Sequence, residues 1–173
     1  MNKERFVAFA TQKGGVGKST VTALVANYVH NVMGIDVAVI DCDEPQHSIV
    51  GLRDKETALI EKNDSLKAVA YEHFRKSGRK GFPIVRSNAV QALDDADSLL
   101  SEKGYRPEIV FFDLPGTLKS DGVIKTLSQM DYIFTPVSAD RFVVESALQF
   151  VMMFNDNLVL SLIHISEPTR PRL

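Results

Sequence analysis

One cysteine, Cys42, is all the thiol chemistry in this 173-residue chain. A lone thiol closes no internal disulfide, and no Cys/His spacing suggests a structural zinc site. Charge of one sign is also scarce. Twenty Lys and Arg against 22 Asp and Glu leave a net charge of −2, so no global basic field marks a nucleic-acid binder, and contact with DNA would need a local patch. No apolar run approaches the ~18 residues of a membrane span. The opening MNKERFVAFA has too short an apolar run for a secretory signal. Internal repeats and low-complexity linkers are missing too. With 45% hydrophobic and 24% charged residues, the expectation is a cytoplasmic protein of one domain with a real core.

What is present is concentrated in TQKGGVGKST, from Thr11 to Thr20. It follows a short apolar run, Arg5–Thr11, read as a buried strand. A helix is expected from Lys18 to about Val32, with Val21, Leu24, Val25, Tyr28, Val29 and Val32 at helical spacing, and Gly34 ends it. Asp36–Asp43 reads as a second buried strand. Strand, glycine loop, helix and strand form the front of a parallel α/β sheet. Such a loop is a phosphate cradle. Glycines let backbone N–H groups converge, and the helix N-terminus adds its positive dipole end. Gly14, Gly15, Val16, Gly17 and Thr20 are therefore candidate nucleotide contacts. Lys18 supplies a full charge to the β/γ-phosphates, and the Ser19 hydroxyl reaches Mg2+. The generic pattern G-x-x-x-x-G-K-[ST] fails at its first glycine, which is Gln12 here. Lys13, a second lysine in the loop, needs its own explanation.

The rest of the chain continues the α/β pattern. Residues from about Gln46 to Gly81 are expected to be helical in two pieces split near Asn63-Asp64, and Phe82–Ser87 is a short strand. Asn88 is a candidate cap for a helix running to about Lys103, with Ala89, Leu93, Ala96, Leu99 and Leu100 on one side. Glu108–Thr117 and Asp131–Ser138 are further strands, and Arg141 to about Phe154 alternates at helical period. Right-handed crossovers place helices on both faces of the sheet.

The segment KGGVGKST resembles the deviant Walker A motif of the ParA/MinD family of P-loop ATPases. The resemblance implies a P-loop NTPase three-layer sandwich with a mostly parallel sheet, MgATP as ligand and ATP hydrolysis as activity. It gives Lys13 a role across a nucleotide-sandwiched homodimer, reaching the partner's phosphates as an arginine finger does. VIDCDEPQHS resembles the family's D-x-D-P-Q strand end, which puts Asp41 near Mg2+ and has Asp43 polarise the attacking water. Glu44 is inserted before Pro45-Gln46, and this leaves it a rival to Asp43. IVFFDLPGT resembles the Walker B strand and the switch II turn: Asp113 holds magnesium through water, and the Gly116 N–H senses the γ-phosphate. DYIFTPVS resembles a strand ending at the dimer face. The resemblance covers nearly all of Met1 to Val159, most closely ParA-like ATPases of conjugative transposons. It implies a switch in DNA partitioning or in transfer of such elements, weakly active and stimulated by a ParB-like or transfer-apparatus partner. Family members run longer, so adenine recognition and most non-specific DNA contacts are expected in a part missing from the C-terminus.

Two segments stand apart. LSLIHISEPTRPRL, from Leu160 to Leu173, carries two prolines in its last six residues and no helix period. Leu160–Arg170 matches the translation of a common transposase-derived sequencing adapter. Residues 1–159 are accordingly read as the ATPase domain, incomplete at its end, and 160–173 as non-native. The run FRKSGRKG (Arg75, Lys76, Arg79, Lys80) is either a phosphate-touching patch or a solvated loop. His30, His47 and His73 are spaced too irregularly for a metal site. Rival branches are weighed on the same residues. The iron–sulfur branch needs several thiolates, and Cys42 reads instead as a core residue. A MinD-like membrane-associated protein needs an amphipathic C-terminal helix. A non-hydrolysing nucleotide-binding regulator is opposed by Asp43 and Asp113.

Overall fold

The computed structural model describes residues 4–11, 17–102, 104–137 and 141–164, with backbone alone from 157 onward. Five strands, β1 (Arg5–Phe9), β2 (Val37–Asp41), β3 (Ile84–Arg86), β4 (Ile109–Asp113) and β5 (Tyr132–Phe134), form one sheet in the order β3-β2-β4-β1-β5. Every neighbouring pair is parallel. The helices among the described residues are α1 (Lys18–Asn31), α2 (Ser48–Lys62), α3 (Asp64–Ser77), α4 (Ala92–Ser101), α5 (Val123–Leu127) and α6 (Arg141–His164).

Strand residues alternate between the two faces, and the alternation sorts the core into two halves. Phe6, Ala8, Ala38, Ile40, Val110 and Phe112 point toward α4, α5 and α6. Val7, Phe9, Val37, Val39 and Phe111 point toward α1 and α2. With both faces covered, the central strands carry apolar residues at nearly every position, as all-parallel sheets do. The result is a three-layer α/β sandwich.

The elements follow the order of the sequence reading, with instructive departures: β4 and β5 stop at Asp113 and Phe134, short of the expected Thr117 and Ser138, as Pro115 and Pro136 offer no N–H to a ladder, and α4 starts at Ala92 rather than just after Asn88. In α1 the buried residues are Lys18, Thr22, Ala23, Ala26, Val29 and His30. Leu24, Tyr28 and Val32 of the expected stripe are 57–67% exposed. Small residues let the helix lie close to the sheet, and that turns the larger ones outward. Asn88 does cap, one turn ahead of α4: its Oδ1 accepts from Val90 N and Gln91 N at 3.0 Å each. The short helix α5 had no periodic signal because it is barely one turn long. Helix α6 continues past Phe154 to His164, since no proline interrupts the chain before Pro168. The basic run from Arg75 to Lys80, left open between a phosphate-touching patch and a solvated loop, is largely neutralised internally. Arg79 pairs with Asp36, while Arg75 and Lys76 share Glu72 at 2.9 and 3.4 Å.

Candidate functional site

The order of the strands builds the site. Strand β4 lies between β1 and β2. The chain leaving β1 turns to the α1 face, whereas the chain leaving β4 turns to the α5 face. A crevice opens at the carboxyl edge between such diverging connections, and ligands bind there in open α/β sheets.

Register then sets the chemistry. Asp41 and Asp113 are direct partners across β2 and β4, and Phe9 is level with Asp113 on β1. Both aspartates share the parity of Val39 and Phe111, so both face α1, where Lys18 opens the first turn. Their neighbours Cys42 and Leu114 face the opposite core half. Lys18 Nζ lies 3.3 Å from Asp113 Oδ1 and 3.7 Å from Asp43 Oδ2. Asp113 is fully buried, and Lys18 is 8% exposed. Burial pushes the Asp113 carboxyl above its ordinary range, opposed by the Lys18 charge and the Ser19 hydroxyl; Asp41 and Asp43 push it further up. The Cys42 thiol is also raised, first by burial and then by the Asp41 and Asp113 charges, so it stays protonated and unreactive.

The first turn of α1 is prepared for an anion. Its N-cap, Gly17, has φ +80° and provides no side-chain cap, and no acidic residue stands in the first turn. The opening amides are thus left to the dipole end of the helix. Glycine is required at 17 by its dihedral angle rather than by space, because a Cβ there would meet nothing within 4 Å among the described residues. Ser19 is half-buried and Thr20 exposed beside it. Lys13, Gly14, Gly15 and Val16 lie outside the described residues. Gly116 sits in a bend after β4, next to Pro115.

Asp41 does two jobs. Its Oδ2 accepts from Ile49 N at 3.0 Å and Val50 N at 2.9 Å, capping α2 from a neighbouring strand. Its Oδ1 is buried without a hydrogen-bond partner, as is Asp113 Oδ2. These two orphaned oxygens and the Ser19 hydroxyl are hard donors of the kind that Mg2+ takes. No group of three or more His, Cys, Asp or Glu side chains converges among the described residues. A cation held here would therefore complete its shell with phosphate oxygens and water, as Mg2+ commonly does. The residues present fit that ion.

Sequence reasoning gave His47 no role in this site. It occupies the left-handed region at φ +41°, is nearly buried, and its Nδ1–H donates to the Asp41 carbonyl at 3.1 Å. Its position in the loop that carries Asp41 and Asp43 was the available signal. Asp43 is 26% exposed at the mouth, and Glu44 is exposed beyond it. Beside the crevice, a cleft of about 490 Å3 separates α1 from α2 and begins at Ser19 and Thr20. Among the described residues no helix is long and apolar enough to cross a membrane.

Comparison with known proteins agrees with this fold. A plasmid partition protein of Borrelia burgdorferi B31, solved bound to AMPPNP, superposes with a TM-score of 0.60 over 90% of this chain and 71% of its own, at 22% identity. A second partition protein structure from that species gives 0.58 over 91% and 75%, at 23% identity. A Corynebacterium diphtheriae protein gives 0.59 over 91% and 69%, at 19% identity. At such identities the likeness shows the fold, a P-loop NTPase-like α/β sandwich. No curated protein matches the sequence. The sequence profile of the CobQ/CobB/MinD/ParA nucleotide-binding domain matches residues 7–158, and by that match across most of its length the chain belongs to this family of P-loop nucleotide-binding proteins.

Proposed function

We propose that the protein is a MgATP-hydrolysing switch of the ParA type, which pairs two subunits around bound nucleotide and resets on hydrolysis. One observation carries the reading: the Lys18 ammonium, held between Asp113 and Asp43 at an uncapped helix N-terminus, beside two orphaned carboxylate oxygens. A triphosphate entering this crevice gives Lys18 phosphate oxygens in exchange for carboxylate oxygens, while the amides of the first turn of α1 hold the β-phosphate. Ser19, Asp41 and Asp113 would hold Mg2+, which when bound neutralises charge on the phosphates. Asp43, close to Lys18 and open to solvent, polarises and orients the attacking water. Glu44 is the alternative, but it is exposed and has no ion pair with a described residue. Lys13 supplies a cation to the other subunit's phosphates, and the Gly116 amide reports whether the γ-phosphate is present. The biological reading is partition of DNA or transfer and maintenance of a conjugative element, in the cytoplasm with DNA and a ParB-like or transfer-apparatus protein as partners.

The test is nucleotide binding, light scattering and phosphate release on the purified chain, with and without DNA. Lys18→Ala loses ATP binding. Lys13→Ala binds ATP but forms no ATP-dependent dimer, and Asp43→Ala binds and dimerises without turnover. Normal dimerisation and rates in Lys13→Ala would remove the switch from this proposal. Undiminished hydrolysis in Asp43→Ala would move the water-orienting role to Glu44.

A further inference from the structure

Helix α3 is amphipathic but buries none of its residues. Leu66, Val69 and Phe74 are 40%, 66% and 42% exposed. Among the described elements its one substantial packing partner is α2. Between the two helices and the loop that follows lies a groove of about 580 Å3. Ile60, Leu66, Val69 and Phe74 give it an apolar floor, and Lys80 and His73 stand at its rim with no carboxylate in the lining.

The charge around the groove runs against that of the whole chain. Residues 64–80 carry five Lys and Arg against two Asp and Glu, on a protein of net charge −2. Lys67 is matched by Asp64 at 2.9 Å, and Arg79 by Asp36. Glu72 serves both Arg75 and Lys76. Lys80 is exposed and makes no ion pair with a described residue. Local positive charge is left over, and it borders a greasy channel.

We propose that this groove docks an acidic amphipathic helix of a partner protein, independently of the nucleotide crevice. The floor spans Leu66 to Phe74 along α3, about 12 Å or two helical turns. A helix with apolar residues at i, i+3 or i+4, and i+7 lays that face on the floor and turns its carboxylates to Lys80 and to the excess charge beside Glu72. A nucleic-acid backbone suits the site less well, since phosphates want donors beneath them and the floor offers carbon. A second copy of this hairpin would bring its own positive charge against the same rim. The loop after α3 is anchored to Asp36, just before β2 and far along the strands from the phosphate edge, so docking needs no nucleotide.

The probe is a fluorescein-labelled, lactam-bridged helical peptide of about four turns, with leucines at helical spacing and glutamates flanking them. Its partner control has lysines in place of the glutamates. Anisotropy is measured on the full chain and on Val69→Asp and Lys80→Glu, with far-UV circular dichroism confirming that each variant folds. The acidic peptide binds in the micromolar range, and each variant weakens it by about tenfold. ATP binding, measured on the same samples, is unchanged in both variants, so failure here leaves the nucleotide reading untouched and the reverse also holds. The proposal is overturned if the acidic peptide does not bind, if the lysine peptide binds equally well, or if both variants bind like the parent. It is equally overturned if duplex DNA takes the site in a Lys80-dependent way, or if the chain self-associates and Val69→Asp abolishes that association.

Discussion

At the scale of single residues, the Lys18–Asp113 pair sets function against stability. A buried ion pair rarely recovers its full desolvation cost, whereas removing one partner leaves an uncompensated charge. The Asp113 carboxyl is raised mainly by burial, so the folded state holds its proton more tightly than the unfolded chain does. Its ionised form is therefore a liability that grows as pH rises above the unfolded value of 3.8 and is complete once the folded value is passed. Asp113→Asn removes that liability and still leaves Lys18 a counter-ion, Asp43, at 3.7 Å. The expected result at neutral pH is a melting temperature raised by about 2–4 °C together with loss of hydrolysis, read by calorimetry and phosphate release; a lower melting point would show the pair to be net stabilising. Lys18→Ala should cost about 3 kcal/mol in chemical denaturation, and adding Asp113→Asn should restore much of that without restoring ATP binding. Two glycines separate strain from crowding. Gly17 and Gly122 have nearly equal φ, +80° and +82°, but a Cβ at Gly122 would stand 2.6 Å from the Ala89 carbonyl oxygen, while one at Gly17 meets no described residue within 4 Å. Gly17→Ala should cost about 1–2 kcal/mol from its dihedral alone, and Gly122→Ala about 3 kcal/mol or more once overpacking is added; equal losses would refute the distinction.

At the scale of elements, α2 is tied to the site by a side chain outside the helix. His47 at its N-cap provides no side-chain cap, and Asp41 does so from β2. Asp41→Ala should cost about 1–2 kcal/mol by removing that cap and should speed amide exchange at Ile49 and Val50 before it affects the sheet. The other end of the α2–α3 hairpin is fastened at the amino ends of the strands. Arg79 pairs with Asp36 and donates to His30 Nδ1 at 3.4 Å. The opposite ring nitrogen of His30 donates to the Lys80 carbonyl at 2.8 Å. Arg53 donates to the Phe82 carbonyl at 3.3 Å and lies 4.8 Å over its ring. Arg79→Ala should loosen α3 selectively, seen as faster hydrogen exchange there with unchanged protection in β2 and β4. Existence and type of the long elements were legible because apolar spacing is a local property. Which side of α1 is buried was not, because that depends on how closely the helix approaches the sheet.

At the scale of the whole molecule, the sheet has a soft side. Among the described strands β5 pairs with β1 alone, and Tyr132 and Phe134 on it are 54% and 51% exposed. On α6, Phe142, Leu148 and Met152 are 55–71% exposed. An edge of this kind invites pairing with another chain, so Tyr132→Lys should lower concentration-dependent scattering without changing ATP binding. The sequence by itself determined the local parts: the strand–glycine loop–helix unit, the apolar strands that carry Asp41 and Asp113, and the helices between them. All of these follow from periodicity and residue type within a few turns of chain. Only the tertiary structure decided that β4 lies between β1 and β2, which brings the two aspartates level and on the same face as Lys18. It alone gave Asp41 a second duty at α2 and withdrew Arg79 from the surface to Asp36. Those outcomes depend on pairings between segments distant in sequence, and strand order and register are settled by packing both faces of the sheet at once rather than by any one segment.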